Sequence, residues 1–247
     1  MSKKNQQARA ERAAALMREQ KRRERRRQII TIAGVVTTMV LLVAGGFLIQ
    51  SLRDDAGQPL TEGGTPSGTT DTYAVVVGEA DAPTTITIYE DFQCPVCGVF
   101  EEAVGERLHA AIEAGEVKVE YRMVSFLDRA STNEYSSRAL NAAAVVLDAS
   151  GIDPFVAFHA LLFENQPEEG GPGLSDDELI SLAVEAGADE DAIRQGIEDK
   201  VFEQWVLNTQ DEMSKNDVNG TPTVFINGES AGTALQDSID ATLDALG

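Results

Sequence analysis

The feature that most constrains this chain is the run Tyr89-Glu90-Asp91-Phe92-Gln93-Cys94-Pro95-Val96-Cys97, which holds both cysteines of a 247-residue sequence. Before it, Thr84-Thr85-Ile86-Thr87-Ile88-Tyr89 mixes β-branched and aromatic residues and follows Ala82-Pro83, which predicts a strand. After it, Phe100, Val104, Leu108 and Ile112 recur every four residues, with Glu101, Glu102, Glu106 and Arg107 forming a polar face. That pattern predicts an amphipathic helix, closed at Gly115 and opened by Pro95 in a first turn that needs no backbone donor. Cysteines at i and i+3 on a helix are neighbours, so a disulfide can open and close there. A bridge over one turn gains little loop-closure stabilisation, which leaves a structural role poorly served. Tetrahedral zinc needs four ligands, and His109 and His159 are the only histidines, without finger-type spacing. The pair reads first as a redox-active dithiol, with a copper or zinc half-site and inert thiols as the weaker alternatives.

Beyond the helix, Val117-Lys118-Val119-Glu120-Tyr121-Arg122-Met123-Val124 alternates at period two and predicts a second strand, completing a βαβ unit with a parallel pair. Residues 131–217 read as helical. Ser136–Leu147 is alanine-rich, Phe155–Phe163 follows Asp153-Pro154, and Ser175-Asp176-Asp177-Glu178 is a capping box. Further helices are expected over Asp191–Ile197 and Val201–Lys215. A strand resumes after Gly220-Thr221-Pro222-Thr223 and ends in the hairpin signal Asn227-Gly228, and Leu235, Ile239, Leu243 and Leu246 mark a closing helix. His109 is expected at the surface, His159 packed in the helical region, and Trp205 in the core.

Residues 1–28 carry eleven Lys or Arg against three Glu, a net +8, which leaves −29 for the remainder of a chain at −21. Residues 29–49 are uncharged and apolar. At about 1.5 Å per residue, this run is about 31 Å long, enough to cross a bilayer. The basic block before it predicts a cytoplasmic segment 1–28, a transmembrane signal anchor 29–49 and an extracytoplasmic remainder. The run exceeds a signal-peptide core, and no clear Ala-x-Ala site follows it, which favours an anchor over a cleaved leader. Residues 50–72, rich in Gly, Ser, Thr and Pro, read as a flexible linker. The acidic outer part excludes nucleic acid as a partner, and an exported dithiol can rest oxidised where a cytosolic one could not.

The strand leading into Asp91-Phe92-Gln93-Cys94-Pro95-Val96-Cys97, together with the distant Gly220-Thr221-Pro222-Thr223 before a strand ending in Asn227-Gly228, resembles the DsbA-like thiol:disulfide oxidoreductases. The resemblance implies a thioredoxin-like α/β domain over residues 73–247 with a helical insertion at about 128–217. It further implies that Pro222 is a cis proline facing the cysteines, that Thr221 offers its backbone to an extended substrate, and that Pro95 and Val96 support the site. Many relatives place an acidic residue six before the first cysteine. Ile88 stands there, so a proton relay falls to Glu90 or to water.

Cys94, at the helix N-terminus, is expected to be the attacking and attacked sulfur, with Cys97 resolving. Helix placement should lower the Cys94 pKa, whereas Glu90, Asp91, Glu101 and Glu102 should raise it. The reading is a membrane-tethered oxidase of exported polypeptide thiols, with no cofactor beyond the disulfide, no metal, and a membrane or extracytoplasmic redox partner, by resemblance quinone-linked. A reductase or isomerase, and a non-enzymatic peptide-binding or copper-handling module, are the alternatives.

Overall fold

The computed structural model describes residues 57–60 and 64–247. The basic block and the apolar run 29–49 lie outside them. Among the described residues no helix is long and apolar enough to cross a membrane.

Five strands form one sheet: β1 (Val75–Val77), β2 (Thr84–Glu90), β3 (Val117–Met123), β4 (Thr223–Ile226) and β5 (Glu229–Ser230), in the spatial order β1-β3-β2-β4-β5. β2 and β3 run parallel from Thr84↔Val117 to Glu90↔Met123, connected by helix α1 (Pro95–Glu113). The β-branched run of β2 occupies the centre of the sheet, where Ile86 and Ile88 are fully buried. β3 buries every second residue, as its sequence alternation requires. β4 pairs antiparallel with β2, placing Thr223 opposite Tyr89 at the end that carries the cysteines. Asn227 and Gly228 both have positive φ, 50° and 83°, the backbone a two-residue hairpin needs.

The helical insertion is built from α2 (Tyr135–Ser150), α3 (Ile152–Glu164), α4 (Asp176–Glu185), α5 (Glu190–Glu198) and α6 (Glu203–Lys215), and α7 (Leu235–Ala245) closes the chain. Small side chains let α2 sit in the middle of the insertion, with Ala139, Ala142 and Ala143 fully buried. Ser175 and Glu178 form the expected capping box at the start of α4. Asn141 in α2 donates to the carbonyls of Gly196 and Ile197 and accepts from Phe202 N–H at 3.0 Å, tying α5 and its exit to α2. Trp205 is buried as expected.

The segment read as a free linker departs from that expectation where it is described. Gly57 N–H donates to Asn208 Oδ1 at 2.8 Å, and Asn208 Nδ2 donates to Gln58 O at 2.9 Å. Ser67 N–H donates to Asp148 Oδ1 at 2.8 Å, and Thr69 bridges Val75. Polar side chains on the insertion satisfy the backbone of a segment with no apolar period of its own.

Asn141→Ala leaves the buried Phe202 N–H without its acceptor, while the carbonyls of Gly196 and Ile197 keep the N–H groups of Val201 and Lys200, and should destabilise the domain by about 1–3 kcal/mol. Urea unfolding checks this: the midpoint should fall with the slope unchanged.

Candidate active site

Cys94 occupies the N-cap of α1, and Pro95 fills the first turn. The N–H groups of Cys97 and Gly98 donate to Cys94 O at 3.0 and 3.2 Å. Both cysteines are free thiols, Cys94 6% and Cys97 1% exposed. The Thr221–Pro222 bond is cis, and Cys94 Sγ lies 3.4 Å from Thr221 O. The structure therefore brings the two distant motifs together, with Val96 exposed at the mouth of the site.

The two thiols are unlike. The hydrogen bond from Cys97 above all, with contributions from Thr221 and the backbone N–H groups of Cys97 and Val96, outweighs burial and holds the Cys94 pKa down at about 6. Burial pushes Cys97 well up, and its hydrogen bond to Cys94 adds to the push. At neutral pH the pair is a thiolate accepting from a thiol.

The loop that presents Cys94 is fastened from beneath. Asp91 is fully buried. Its Oδ1 accepts from Gln93 N–H at 2.8 Å and Ser136 Oγ at 2.6 Å, and its Oδ2 accepts from Leu127 N–H at 2.9 Å. Burial raises its pKa to about 6, with these hydrogen bonds opposing. Gln93 Nε2 donates to the carbonyls of Glu168 and Gly171 at 3.2 and 3.3 Å. Gln166 Nε2 donates to those of Phe92 and Cys94 at 3.1 and 3.0 Å. Sequence reasoning missed Asp91 as an anchor and missed Gln93, Ser136 and Gln166 altogether. An Asp bonded to the N–H two residues on is a local turn signal that was readable for Asp91. The partners from the insertion had none.

Glu90 ends β2 and is 1% exposed, not solvated. Its Oε1 shares a 2.5 Å hydrogen bond with Nε2 of the equally buried His159. Burial first, then the Cys94 and Asp91 charges, push the Glu90 pKa well up, and burial pushes His159 down. Glu101 is half-buried, and burial together with Glu90 raises it to about 8. The expectation that acidic neighbours raise the Cys94 pKa is thus corrected: burial shifts Glu90 and Glu101 toward their uncharged forms, Asp91 is consumed by hydrogen bonds, and Glu102 faces solvent. His109, expected at the surface, is half-buried on the wall of a cavity of about 680 Å³ between α1 and α3.

A parallel βαβ unit with a helix-capping cysteine pair opposite a cis proline defines a thioredoxin fold carrying a dithiol site. Residues 70–245 match the family model described as thioredoxin, and the chain belongs to that family. The oxidised crystal structure of DsbA from Mycobacterium tuberculosis is similar at 33% identity and a TM-score of 0.59, over 70% of this chain and 93% of that one. Disulfide bond formation protein D from Bacillus subtilis is 27% identical over 154 residues, 62% of this chain and 67% of that protein. The serine/threonine-protein kinase PknE of Mycobacterium tuberculosis is 30% identical over 158 residues, but the chain spans only 28% of its length, and no kinase activity follows from the match. Within its family the chain is DsbA-like, an enzyme of thiol-disulfide exchange.

Absorbance of the Cys94 thiolate at 240 nm should titrate with an apparent pKa near about 6, and Cys97→Ala should move it upward by removing the principal donor. Because the folded pKa is depressed, the stabilisation of the reduced form is fully present above the ordinary thiol value of about 8.5 and is lost as pH falls through about 6. The excess stability of reduced over oxidised protein should therefore shrink between pH 8 and pH 5, measured by thermal melts of both forms.

Proposed function

We infer that this enzyme is a membrane-tethered, extracytoplasmic oxidase of exported polypeptide thiols. The observation that carries the direction is the lowered pKa of Cys94 beside an un-ionised Cys97. A stabilised thiolate makes the reduced form the more stable partner and hence the disulfide the stronger oxidant. The anchor reading rests on the apolar run 29–49 behind eleven basic residues in 1–28.

In the forward half-cycle a client thiolate attacks Cys94 Sγ of the Cys94–Cys97 disulfide. A mixed disulfide forms, and Cys97 leaves as a thiolate that takes a proton. A second client thiolate then attacks the client sulfur of that mixed disulfide, forms the client disulfide and releases Cys94 as the thiolate its hydrogen bonds favour. Val96, Thr221 and Pro222 border the sulfur under attack, Pro95 holds the first turn of α1, and Glu90 is the group that exchanges a proton with Cys97. Reoxidation hands two electrons to a membrane or extracytoplasmic disulfide partner, such as a quinone-linked reoxidant. The Cys94–Cys97 disulfide is the whole redox group, with no further cofactor.

The reduction potential, measured by equilibration with glutathione, should lie well above the roughly −270 mV of thioredoxin. A value at or below it would make the reductase or isomerase reading the better one. Cys94→Ser should abolish oxidation of a reduced client, whereas Cys97→Ser should accumulate mixed disulfides whose captured proteins are exported. Deletion of residues 1–49 should release the domain from membranes in a carbonate wash.

A further inference from the structure

The contacts of Glu90 continue past the cysteines. Its Oε1 meets His159 Nε2 at 2.5 Å, and atoms of Glu90, Glu101 and His159 all lie within 4.8 Å of one another. Glu90 Oε2 and Glu101 Oε1 are buried without a hydrogen-bond partner among the described residues, as is the Tyr121 hydroxyl beside them. Glu101 also stands on the wall of the cavity between α1 and α3, whose other lining residues include His109 and the exposed Glu102, Glu106 and Glu164. A row of proton-carrying groups thus runs from the floor of the dithiol site to a solvent-facing cavity.

A cluster of two carboxyls and an imidazole could also hold a cation. Two ligands held about 2.0–2.1 Å from one tetrahedral ion stand about 3.3 Å apart. Glu90 and His159 are much closer, at the separation of a shared proton.

Resting on the pairing of Glu90 with Cys97, we propose that His159 and Glu101 relay the Cys97 proton between Glu90 and the cavity. When the disulfide closes, Glu90 hands its proton by way of His159 to an ionised Glu101 and takes up the Cys97 proton, while the Cys97 sulfur attacks Cys94 of the mixed disulfide, whose partner leaves as a thiolate. Glu101 then loses its proton to water. When a client opens the disulfide and expels Cys97 as a thiolate, one proton returns along the same groups. The titratable groups facing Glu90 are Asp91 and Cys94 from its own loop, Cys97 and Glu101 from α1, Tyr121 from β3 and His159 from α3, and His109 neighbours His159. In the closing direction Glu101 must be ionised to accept, which it becomes as pH rises through about 8.

The test mixes the reduced full chain, in detergent, with one equivalent of 5,5′-dithiobis(2-nitrobenzoate) in a stopped-flow cell. Attack by Cys94 releases the first thionitrobenzoate, and displacement by Cys97 releases the second. His159→Gln and Glu101→Gln should give a full first phase, which reports a folded site, and a second phase about tenfold or more slower. The second phase should also lose its rise through about pH 8, and Glu101→Asp should restore part of the rate. Glu101→Gln, on the cavity wall, keeps the test open if the buried His159→Gln does not fold. A second phase slowed by Glu90→Gln but untouched by either relay variant overturns the relay and leaves Glu90 its role. A second phase indifferent to Glu90→Gln overturns both. Stoichiometric Zn²⁺ binding that is lost in His159→Gln would replace the relay with a cation site.

Discussion

The arrangement of the site depends on a buried carboxylate. Taking Asp91 out of water is costly unless its lone pairs are used, and three donors use them: the N–H groups of Gln93 and Leu127 and the hydroxyl of Ser136. Those donors belong to the cysteine loop, to the short turn after β3 and to the start of α2. One side chain therefore fixes where β2 stops, how the loop turns into α1 and where the insertion begins. Cys94 reaches the helix N-cap because the backbone three residues before it cannot move without unpairing that group. Gln93 and Gln166 repeat the device from opposite directions, one reaching out to the 168–171 loop and the other reaching in to the carbonyls of Phe92 and Cys94.

What the sequence made legible follows from local periodicity. The strand over Val117–Met123 was visible because one face is buried and the alternation is strict. The cysteine and Thr221-Pro222 motifs were visible because each carries its chemistry in a few adjacent residues. Buried charges were not visible, since charged residues are ordinarily solvated and hydropathy treats them so. Glu90 meets His159 across 69 positions, and Gly57 meets Asn208 across 151. No local pattern encodes a partner at that distance. Glu101 misled for a related reason: it lies on the polar side of the α1 pattern, but that side abuts α3, so the polar face is only partly wet.

The same point explains how a strongly acidic chain keeps a low-pKa thiol. Counting carboxylates near Cys94 predicts repulsion, but the count assumes that all are ionised. Desolvation disfavours the charged form of Glu90 and Glu101. The acids close to the sulfur are thereby shifted toward their uncharged forms, while the exposed ones are screened by water and salt. Short-range donors to Cys94 then decide the outcome, led by Cys97. Burial thus acts on the thiolate twice, directly as a penalty and indirectly by neutralising its neighbours.

The insertion is consequently part of the chemistry and not a lid added to a finished site. A sheet with α1 alone would leave the Glu90 carboxyl at a strand end open to water, where it would ionise and repel the thiolate. The helix α3 prevents that by setting His159 on the carboxyl and packing Phe155 and Phe163 against the imidazole ring. It supplies one hydrogen-bond partner and removes the solvent that would otherwise compete. An apolar replacement for His159 would keep the dry environment but strand Glu90 without a partner, and an exposed acid would lose the dry environment. A buried acid hydrogen-bonded to a buried imidazole meets both demands, so the residue that completes the site comes from a helix 69 positions away from the one it serves.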